Sequence, residues 1–328
     1  MTRRILYIIS AVLPFLFGCQ SEMTVTEDSY ATVSVGISLP DAVHTKAVGD
    51  GENVDILYYE IWNHKEDAQG GSIGDKRLAS GSVSRSSTED EDFELNVTLL
   101  NDQTYDFLFW AQVESSEAYD VTSLRKVTTD YNNVAGNDES RAAFFGTTTV
   151  TMNGHQIVDV ELARPFAQLN VGASTLISDV SPEGIQVTGS VIRVKSPANC
   201  FDVATGMGST TKVADAVFLG EGVITDPEIL EIHPNEDEKI ELLYYHYLSM
   251  NYFFVNGDEI STVDVEMEFM TDIGTVRHFV PNVRVRENHK TNIVGDVFFK
   301  AAEFNIVVEK EFNPEELEPE TPELPETE

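Results

Sequence analysis

Two strand-like runs of sequence meet at the stretch Arg164-Pro165-Phe166-Ala167-Gln168-Leu169-Asn170-Val171-Gly172. Apolar residues alternate with acidic ones over residues 158–162, and with amide residues over residues 167–171. Such alternation is typical of a strand with one face in a core and the other in water. Pro165 lacks an N–H and has a fixed φ, so the strand must bend or pause there. The stretch predicts either two strands meeting at a bend or, more specifically, the joint between two β domains.

Short strands separated by turn signals are predicted on both sides of this joint. Residues 30–39, 93–99 and 263–269 alternate strictly, and residues 104–113 are almost continuously apolar, as in a strand buried on both faces. No window of twelve or more residues keeps a helical period. The pattern favours an all-β chain with two β-sandwich domains in tandem. The predicted domains cover residues 30–163 and 164–312.

Several local features are predicted from turn chemistry alone. Residues 63–91 are rich in Gly, Ser and acidic residues, which predicts a loop. Asn153-Gly154 lies between two predicted strands, which predicts a hairpin turn. Further strands are predicted at residues 240–247 and 249–255.

The first residues have the features of a bacterial lipoprotein signal. A basic start and an apolar run at residues 5–17 precede Gly18-Cys19. The prediction is a signal peptide at residues 1–18, a lipid on Cys19 and a tether at residues 19–29. An ordinary secretory signal with an incidental cysteine is the alternative. Cys200 then has no partner for an internal disulfide, and it is predicted to be a buried structural thiol.

The chain is strongly acidic, with 21 Lys+Arg against 56 Asp+Glu and a formal net charge of -35. This charge argues against nucleic acid as a partner, because phosphates would be repelled. It also argues against binding an anionic membrane surface without a covalent anchor. Residues 313–328 interleave prolines with glutamates, which predicts an extended, solvated acidic tail.

The sequence offers no catalytic, cofactor-binding or metal-binding constellation. The 7 histidines do not form pairs at metal-ligand spacing, and neither HExxH nor GxSxG occurs. We therefore predict that the chain is not an enzyme and carries no cofactor. The aromatic residues Phe107, Phe109 and Trp110 are interpreted as core packing, with a sugar-binding site as the alternative.

Six features together resemble the fimbrillin-like lipoproteins of Bacteroidales, the superfamily that includes the type V pilins. They are the lipoprotein start that ends in Cys19 and the segments 45–51, 105–112, 164–171, 247–252 and 288–295. Each segment is weak alone, but their order and spacing span most of the chain. The resemblance implies two transthyretin-like β-sandwich domains and a place in surface fimbriae or as their accessory.

The resemblance also implies an assembly mechanism by strand exchange. A lipidated precursor reaches the outer membrane, and a trypsin-like protease cuts the loop after the first strand, for which Lys46 is the candidate here. Many relatives have arginine where this chain has Lys46. The displaced strand would carry Ala31, Val33, Val35 and Ile37. The candidate donor strand, at residues 303–312, would carry the alternating anchors Phe304, Ile306 and Val308.

This interpretation names other fimbrial subunits as partners, in a homo- or heteropolymer that supports adhesion, and the outer membrane through the lipid on Cys19. The alternative is an uncleaved surface lipoprotein that anchors a fimbria or binds a glycan or a host protein. In that alternative Lys46 has no role and the lipid is retained.

Overall fold

The computed structural model of the protein describes residues 29–40, 53–66, 71–85, 92–174, 187–221, 228–232, 241–256, 260–297 and 304–311. Strands dominate these residues, with short 3-10 turns at Leu124–Lys126 and Glu139–Arg141. The predicted all-β class is confirmed. Within the described residues, no helix is long and apolar enough to cross a membrane.

The strands before the Pro165 bend build mainly two sheets. A three-stranded sheet has the order β4-β1-β9, and a four-stranded sheet has the order β3-β2-β5-β8. The strand bounds are β1 Tyr30–Ser38, β2 Ile56–Lys65, β3 Ser72–Ser84, β4 Asp92–Leu100, β5 Thr104–Gln112, β6 Val127–Thr128, β7 Val134–Ala135, β8 Ala143–Thr151 and β9 Gln156–Glu161.

The two sheets enclose one apolar cluster, here called the N-terminal core. Alternation along β1 and β4 sends every second side chain inward, so that the three-stranded sheet contributes Val35, Phe93 and Val160. The four-stranded sheet contributes Phe107 and Phe144 from β5 and β8. This sheet-on-sheet arrangement is a β-sandwich, as the strand pattern predicts.

The strands after the bend build two five-stranded sheets, with the orders β15-β16-β10-β19-β20 and β18-β17-β11-β14-β7, and β12 joins β13 and β6 in a small sheet. The short strand β7 precedes the bend in sequence but pairs with β14. The bounds are β10 Ala167–Ala173, β11 Val187–Val194, β12 Cys200–Asp202, β13 Met207–Ser209, β14 Ala216–Gly220, β15 Glu228–Ile232, β16 Glu241–Phe253, β17 Ser261–Thr271, β18 Gly274–Val285, β19 His289–Gly295 and β20 Phe304–Glu311.

A second apolar cluster, the C-terminal core, lies between the two five-stranded sheets. Leu169 and Ile293 reach it from the sheet that contains β10, and Ile192, Met267 and Phe269 reach it from the other sheet. Each of these side chains is almost completely buried. The chain therefore passes from one sandwich to another between β9 and β10.

A third cluster, the bridging core, joins the two halves of the chain. Trp110, on the face of β5 that points away from the N-terminal core, packs against Tyr119, Phe201 and Phe254 with ring centroids 5.2, 6.1 and 6.2 Å away. Residues 104–113 were predicted to be buried on both faces, and β5 confirms it, because its second face meets this cluster. The aromatic side chains of this strand are core residues, as the first interpretation held.

The prediction of a loop over residues 63–91 is wrong for much of the segment. β3 occupies Ser72–Ser84 and pairs antiparallel with β2. It is an edge strand whose side chains are mostly exposed, so its sequence needs no apolar alternation. The small residue Gly81 also leaves room for Tyr59 of β2, whose hydroxyl would lie 2.7 Å from a β-carbon there.

Asn153-Gly154 is a turn, but the hairpin prediction is wrong. β8 pairs with β5 in the four-stranded sheet, whereas β9 pairs with β1 in the three-stranded sheet. The turn therefore carries the chain from one sheet of the sandwich to the other. Gly154 has a φ of 112°, a conformation that favours glycine. Farther along the chain, β16 replaces the two strands predicted over residues 240–255.

The prediction that one face of β10 meets water is also wrong, because every residue of β10 is buried. Gln168 Nε2 donates to Asn170 Oδ1 at 2.8 Å, and Asn170 Nδ2 donates to Asn292 Oδ1 at 2.8 Å. These three residues form the polar row. It shares a face with Tyr252, a member of the bridging core, so the second face of the sheet is covered by protein instead of solvent.

Candidate functional site

Strand β1 occupies the centre of the three-stranded sheet and fills the gap between β4 and β9. It pairs antiparallel with β4 over its whole length, from Tyr30 opposite Leu100 to Ser38 opposite Asp92. It also pairs parallel with β9, from Val33 opposite Gln156 to Ser38 opposite Glu161. Since both neighbours depend on β1 for backbone hydrogen bonds, its removal would leave two unpaired strand edges.

The side chains predicted for the displaced strand point into the N-terminal core. Val33, Val35 and Ile37 are 0%, 1% and 0% exposed, and Ala31 is partly buried against the same cluster. The structure thus brings all four predicted residues together on one face of β1. That face forms part of the inner wall of the sandwich.

The other face of β1 is half-buried, and side-chain hydrogen bonds to β4 hold it. The hydroxyl oxygens of Thr32 and Thr98 lie 3.2 Å apart, and Ser34 Oγ donates to Asn96 Oδ1 at 2.6 Å. Further along, a β-carbon at Gly36 would lie 2.9 Å from a carboxylate oxygen of Asp159. The outward face is therefore polar and closely fitted to both neighbouring strands.

Backbone hydrogen bonds tie both ends of β1. Ser29 O accepts from Asn101 N at 2.9 Å, and Ser38 O accepts from Leu162 N at 3.0 Å. Beneath the Tyr30 end, the Tyr105 hydroxyl donates to Leu100 O at 3.3 Å, and burial raises the pKa of this tyrosine. Tyr105 is thus a neutral hydrogen-bond donor at physiological pH.

The energetic consequence of losing β1 follows from its inward side chains. Fully burying a Val or Ile side chain stabilises a protein by about 1.5–3 kcal/mol, so exposing Val33, Val35 and Ile37 costs about 5–9 kcal/mol. A whole domain is stable by only about 5–15 kcal/mol. An emptied groove would therefore strongly favour a replacement strand with similar side chains.

Lys46 and Cys19, the predicted sites of cleavage and lipidation, lie outside the described residues. The described residues on either side of the Lys46 segment are Pro40 and Asn53, of which Pro40 is buried and Asn53 exposed. Ser38, the last residue of β1, is therefore close in sequence to the candidate cleavage site. A cut at Lys46 would separate β1 from the rest of its sandwich in the chain.

The candidate donor residues lie on β20, at one edge of the five-stranded sheet that contains β10. Phe304, Ile306 and Val308 pair with Gly295, Ile293 and Thr291 of β19, so the three anchors share one face of the strand, the face of the C-terminal core. Phe304 packs on that core and meets the His278 ring edge-on at 5.1 Å, whereas Ile306 is 38% exposed. Among the described strands, β20 pairs with β19 alone, whereas β1 has a strand partner on each side.

Two features of the structure were missed from the sequence. Arg164 is 1% exposed and places its guanidinium 4.8 Å from the Phe144 ring centroid, at the joint between the two halves. Four exposed acidic residues flank the Ser38 end of β1, two on each neighbouring strand. Asp92 and Glu94 lie two positions apart on β4, and Asp159 and Glu161 lie two positions apart on β9. This spacing could have revealed the second feature if the strand pairing had been known.

An open polar cleft on the surface has a volume of about 750 Å³. Residues 117–132 form one wall and residues 199–215 form the other, with Asp130, Asn132, Thr211 and Lys212 among the lining residues. The part of the chain that the structure describes contains no group of three His, Cys, Asp or Glu residues placed to hold a metal ion. Cys200 is buried, as predicted.

Comparison with known proteins gives a family match over most of the chain. The profile of DUF6562, a family of unknown function, matches residues 25–325. No curated protein matches the sequence.

Several solved structures align with most of this chain at low sequence identity. A fimbrial assembly protein from Parabacteroides distasonis is 12% identical, with a TM-score of 0.47 and coverage of 85% of this chain and 99% of that one. The tip fimbrial protein Mfa3 from Porphyromonas gingivalis is 10% identical, with a TM-score of 0.46 and coverage of 85% and 99%. A candidate polysaccharide-binding protein from Bacteroides thetaiotaomicron is 11% identical, with a TM-score of 0.46 and coverage of 87% and 100%. Likeness at this level does not transfer the functions of those proteins to this chain.

Proposed function

The chain belongs to the DUF6562 family, whose function is unknown, and we propose that it is a structural subunit or accessory protein of surface fimbriae. In this proposal, proteolysis after Lys46 releases β1, and a strand from another subunit takes its place and links the two. The observation that carries the proposal is the position of β1. It is a single short strand that completes both a sheet and a core, and it lies next to the candidate cut in the chain.

The geometry of the groove supports strand exchange in two ways. Removal of β1 would expose backbone donors and acceptors on β4 and β9, the template for adding a strand. It would also expose an apolar trough lined by residues such as Phe93, Leu95 and Val160. Backbone pairing gives the replacement strand affinity, and the trough selects its alternate side chains.

The proposed donor is a strand of another fimbrial subunit, and β20 is the candidate strand that this chain would offer in turn. Its anchors Phe304, Ile306 and Val308 alternate in the manner of Val33, Val35 and Ile37. Its position at a sheet edge supports the role, because β19 is its one strand partner among the described residues. The two proposed domains, residues 30–163 and 164–312, would then accept and donate one strand each.

The proposed route to the cell surface uses the lipid on Cys19. Lipidation at this residue would hold the precursor on the outer membrane, despite the repulsion between the acidic chain and anionic lipids. A cut after Lys46 would free the subunit from its anchor at the same step that opens the groove. The proposed location is therefore the outer membrane for the precursor and the fimbrium for the cleaved subunit.

Intact mass and N-terminal sequence of the protein recovered from its native cell surface test this proposal. The expected result is a chain that begins at Ala47 and forms polymers in wild-type cells. A Lys46→Gln variant should keep the lipidated start at Cys19 and remain monomeric, whereas Lys76→Gln, at an exposed lysine of β3, should behave as wild type. A wild-type protein that keeps Cys19 and forms no polymer would refute strand exchange.

The cleft supports a second candidate function, that of an uncleaved surface lipoprotein that binds a glycan or host ligand. Its volume of about 750 Å³ and its Asp, Asn, Thr and Lys lining suit a small polyhydroxylated ligand. A glycan array probed with wild-type protein and with a Lys212→Ala variant tests it. Binding that the variant loses, by a protein still lipidated at Cys19, would favour this candidate over the fimbrial subunit.

A further inference from the structure

The groove that holds β1 has two ends of different electrostatic character. At the Ser38 end, four carboxylates flank the outward positions Gly36 and Ser38, and this region is called the acidic end. At the other end, the outward neighbours of Thr32 and Ser34 on β4 are Thr98 and Asn96, which are uncharged. The four carboxylates are Asp92 and Glu94 on β4 and Asp159 and Glu161 on β9.

The acidic end has no compensating cation in the described part of the chain. All four carboxylates are exposed, and none forms an ion pair with a described residue. Gly36 and Ser38 of β1 place no charge between them. In the native sandwich, these four negative charges therefore face only the small residues Gly36 and Ser38 of β1. A different strand with an acidic residue at either position would lie next to like charges, which destabilises strand pairing.

We propose that the acidic end selects the strand that replaces β1, and that the preferred strand carries Lys or Arg at the positions aligned with Gly36 or Ser38. The inference deepens the proposed function, because it names the chemistry of the incoming partner. Three apolar side chains would fill the sites of Val33, Val35 and Ile37. A basic residue at the last outward position would then lie between Asp92 and Glu161.

The alignment of β20 with β1 indicates that the preferred partner is not a second copy of this chain in the same orientation. If Phe304, Ile306 and Val308 occupied the sites of Val33, Val35 and Ile37, Glu309 would take the place of Ser38. A glutamate would then lie between two like charges on adjacent strands. The inferred partner is therefore an extended segment of a different polypeptide, apolar on one face and basic at the end that meets the acidic end.

The first test uses the uncut full chain and does not depend on strand exchange. Ser38→Lys and Ser38→Glu variants are compared by urea unfolding, with Thr32→Lys and Thr32→Glu as matched controls at the uncharged end. At low salt the unfolding equilibrium constants of the two Ser38 variants should differ about tenfold, with the lysine variant more stable. The Thr32 pair should differ by less than about threefold, and 1 M salt should largely remove both differences because it screens exposed charges.

The second test measures partner choice directly. The full chain carries the recognition sequence of a site-specific protease at the Lys46 position and is cut there. Fluorescent nine-residue peptides that copy Tyr30–Ser38, with amidated C-termini so that no extra carboxylate enters the acidic end, compete for the groove by fluorescence polarisation. The peptide that ends in lysine should bind about tenfold more tightly than the peptide that ends in glutamate, and more tightly than a β20 peptide.

The two tests separate the possible failures. If no peptide binds the nicked chain, strand exchange itself fails, whatever the urea experiment shows. If peptides bind but lysine and glutamate at the last position are equivalent, or if β20 binds as tightly as the lysine peptide, the selection proposed for the acidic end is wrong. Equal charge effects at Ser38 and Thr32 would also overturn it, since they would report the overall charge of the chain alone.

Discussion

A disulfide between positions 32 and 98 would tie β1 to β4 and should block assembly without disturbing the fold. Thr32 and Thr98 face each other on the outer surface with hydroxyl oxygens 3.2 Å apart, which suits replacement by a cysteine pair. The cross-link joins residues 66 positions apart. The loss of chain entropy in the unfolded state then predicts a stabilisation of up to about 4 kcal/mol.

The structure supplies a closely matched control for this cross-link. Thr104 and Thr151 also face each other on two adjacent strands, with hydroxyl oxygens 2.9 Å apart and a separation of 47 residues. A disulfide there should stabilise the chain by a similar amount, up to about 4 kcal/mol. It joins β5 to β8 and leaves β1 untethered. Both double variants are made with Cys19→Ser, so that the only other cysteine is the buried Cys200.

The assay follows polymer formation after cleavage at Lys46 in the presence of the other fimbrial subunits, by size-exclusion chromatography and electron microscopy. The oxidised 32–98 variant should be cleaved but stay monomeric, and a reductant should restore polymers. The oxidised 104–151 variant should assemble with or without the reductant. Polymer formation by the oxidised, cleaved 32–98 variant would show that β1 need not leave its groove, and the argument from β1 would then be refuted.

Three further predictions concern stability and processing. Ile37→Ala should lower the free energy of unfolding by about 2–4 kcal/mol because it opens a cavity in the N-terminal core, whereas the solvent-side Ser34→Ala should cost less than about 1 kcal/mol, and urea unfolding measures both. Asn170→Leu should cost about 2–4 kcal/mol in the same assay, since it leaves the amides bonded to Asn170 buried without that partner, and a neutral result would refute a structural role for the polar row. Burial raises the pKa of Tyr119 to about 12. The stability that depends on the neutral Tyr119 hydroxyl is therefore complete below the unfolded-state pKa of about 10 and is lost as the pH rises towards 12. The free energy of unfolding of Tyr119→Phe should fall less steeply between about pH 10 and 12 than that of the wild type, and an unchanged slope would contradict this assignment.

The sequence predicts strands best where the structure buries one face and exposes the other. β1 and β4 obey this rule, because one side of their sheet meets the N-terminal core and the other meets solvent. Periodicity alone was enough to predict that Val33, Val35 and Ile37 share a buried face. The same reasoning predicted that Phe304, Ile306 and Val308 share a face of β20, as their pairing with β19 shows.

The errors arise where burial depends on residues far away in the sequence. Gln168 and Asn170 were predicted to face water because they are polar, but the face they share is covered by the bridging core. Hydrogen bonds between amides make that burial tolerable, and such pairing leaves no local signal. The loop prediction over β3 is wrong for the opposite reason, because an exposed edge strand needs backbone pairing but few apolar residues. The acidic end likewise exists only because the fold brings Asp92 and Glu161 to opposite sides of Ser38.

The parallel pairing of β1 with β9 has a consequence for the order of folding. β1 is synthesised first, yet the strand that completes its pairing follows only after β2 to β8. Contacts between residues so distant in the chain form slowly, because a long loop must close first. We therefore expect the insertion of β1 to be a late event in the maturation of the N-terminal sandwich. A subunit that has lost β1 would then resemble its own last folding intermediate, so the state that awaits a donor strand is one through which every newly made chain has already passed.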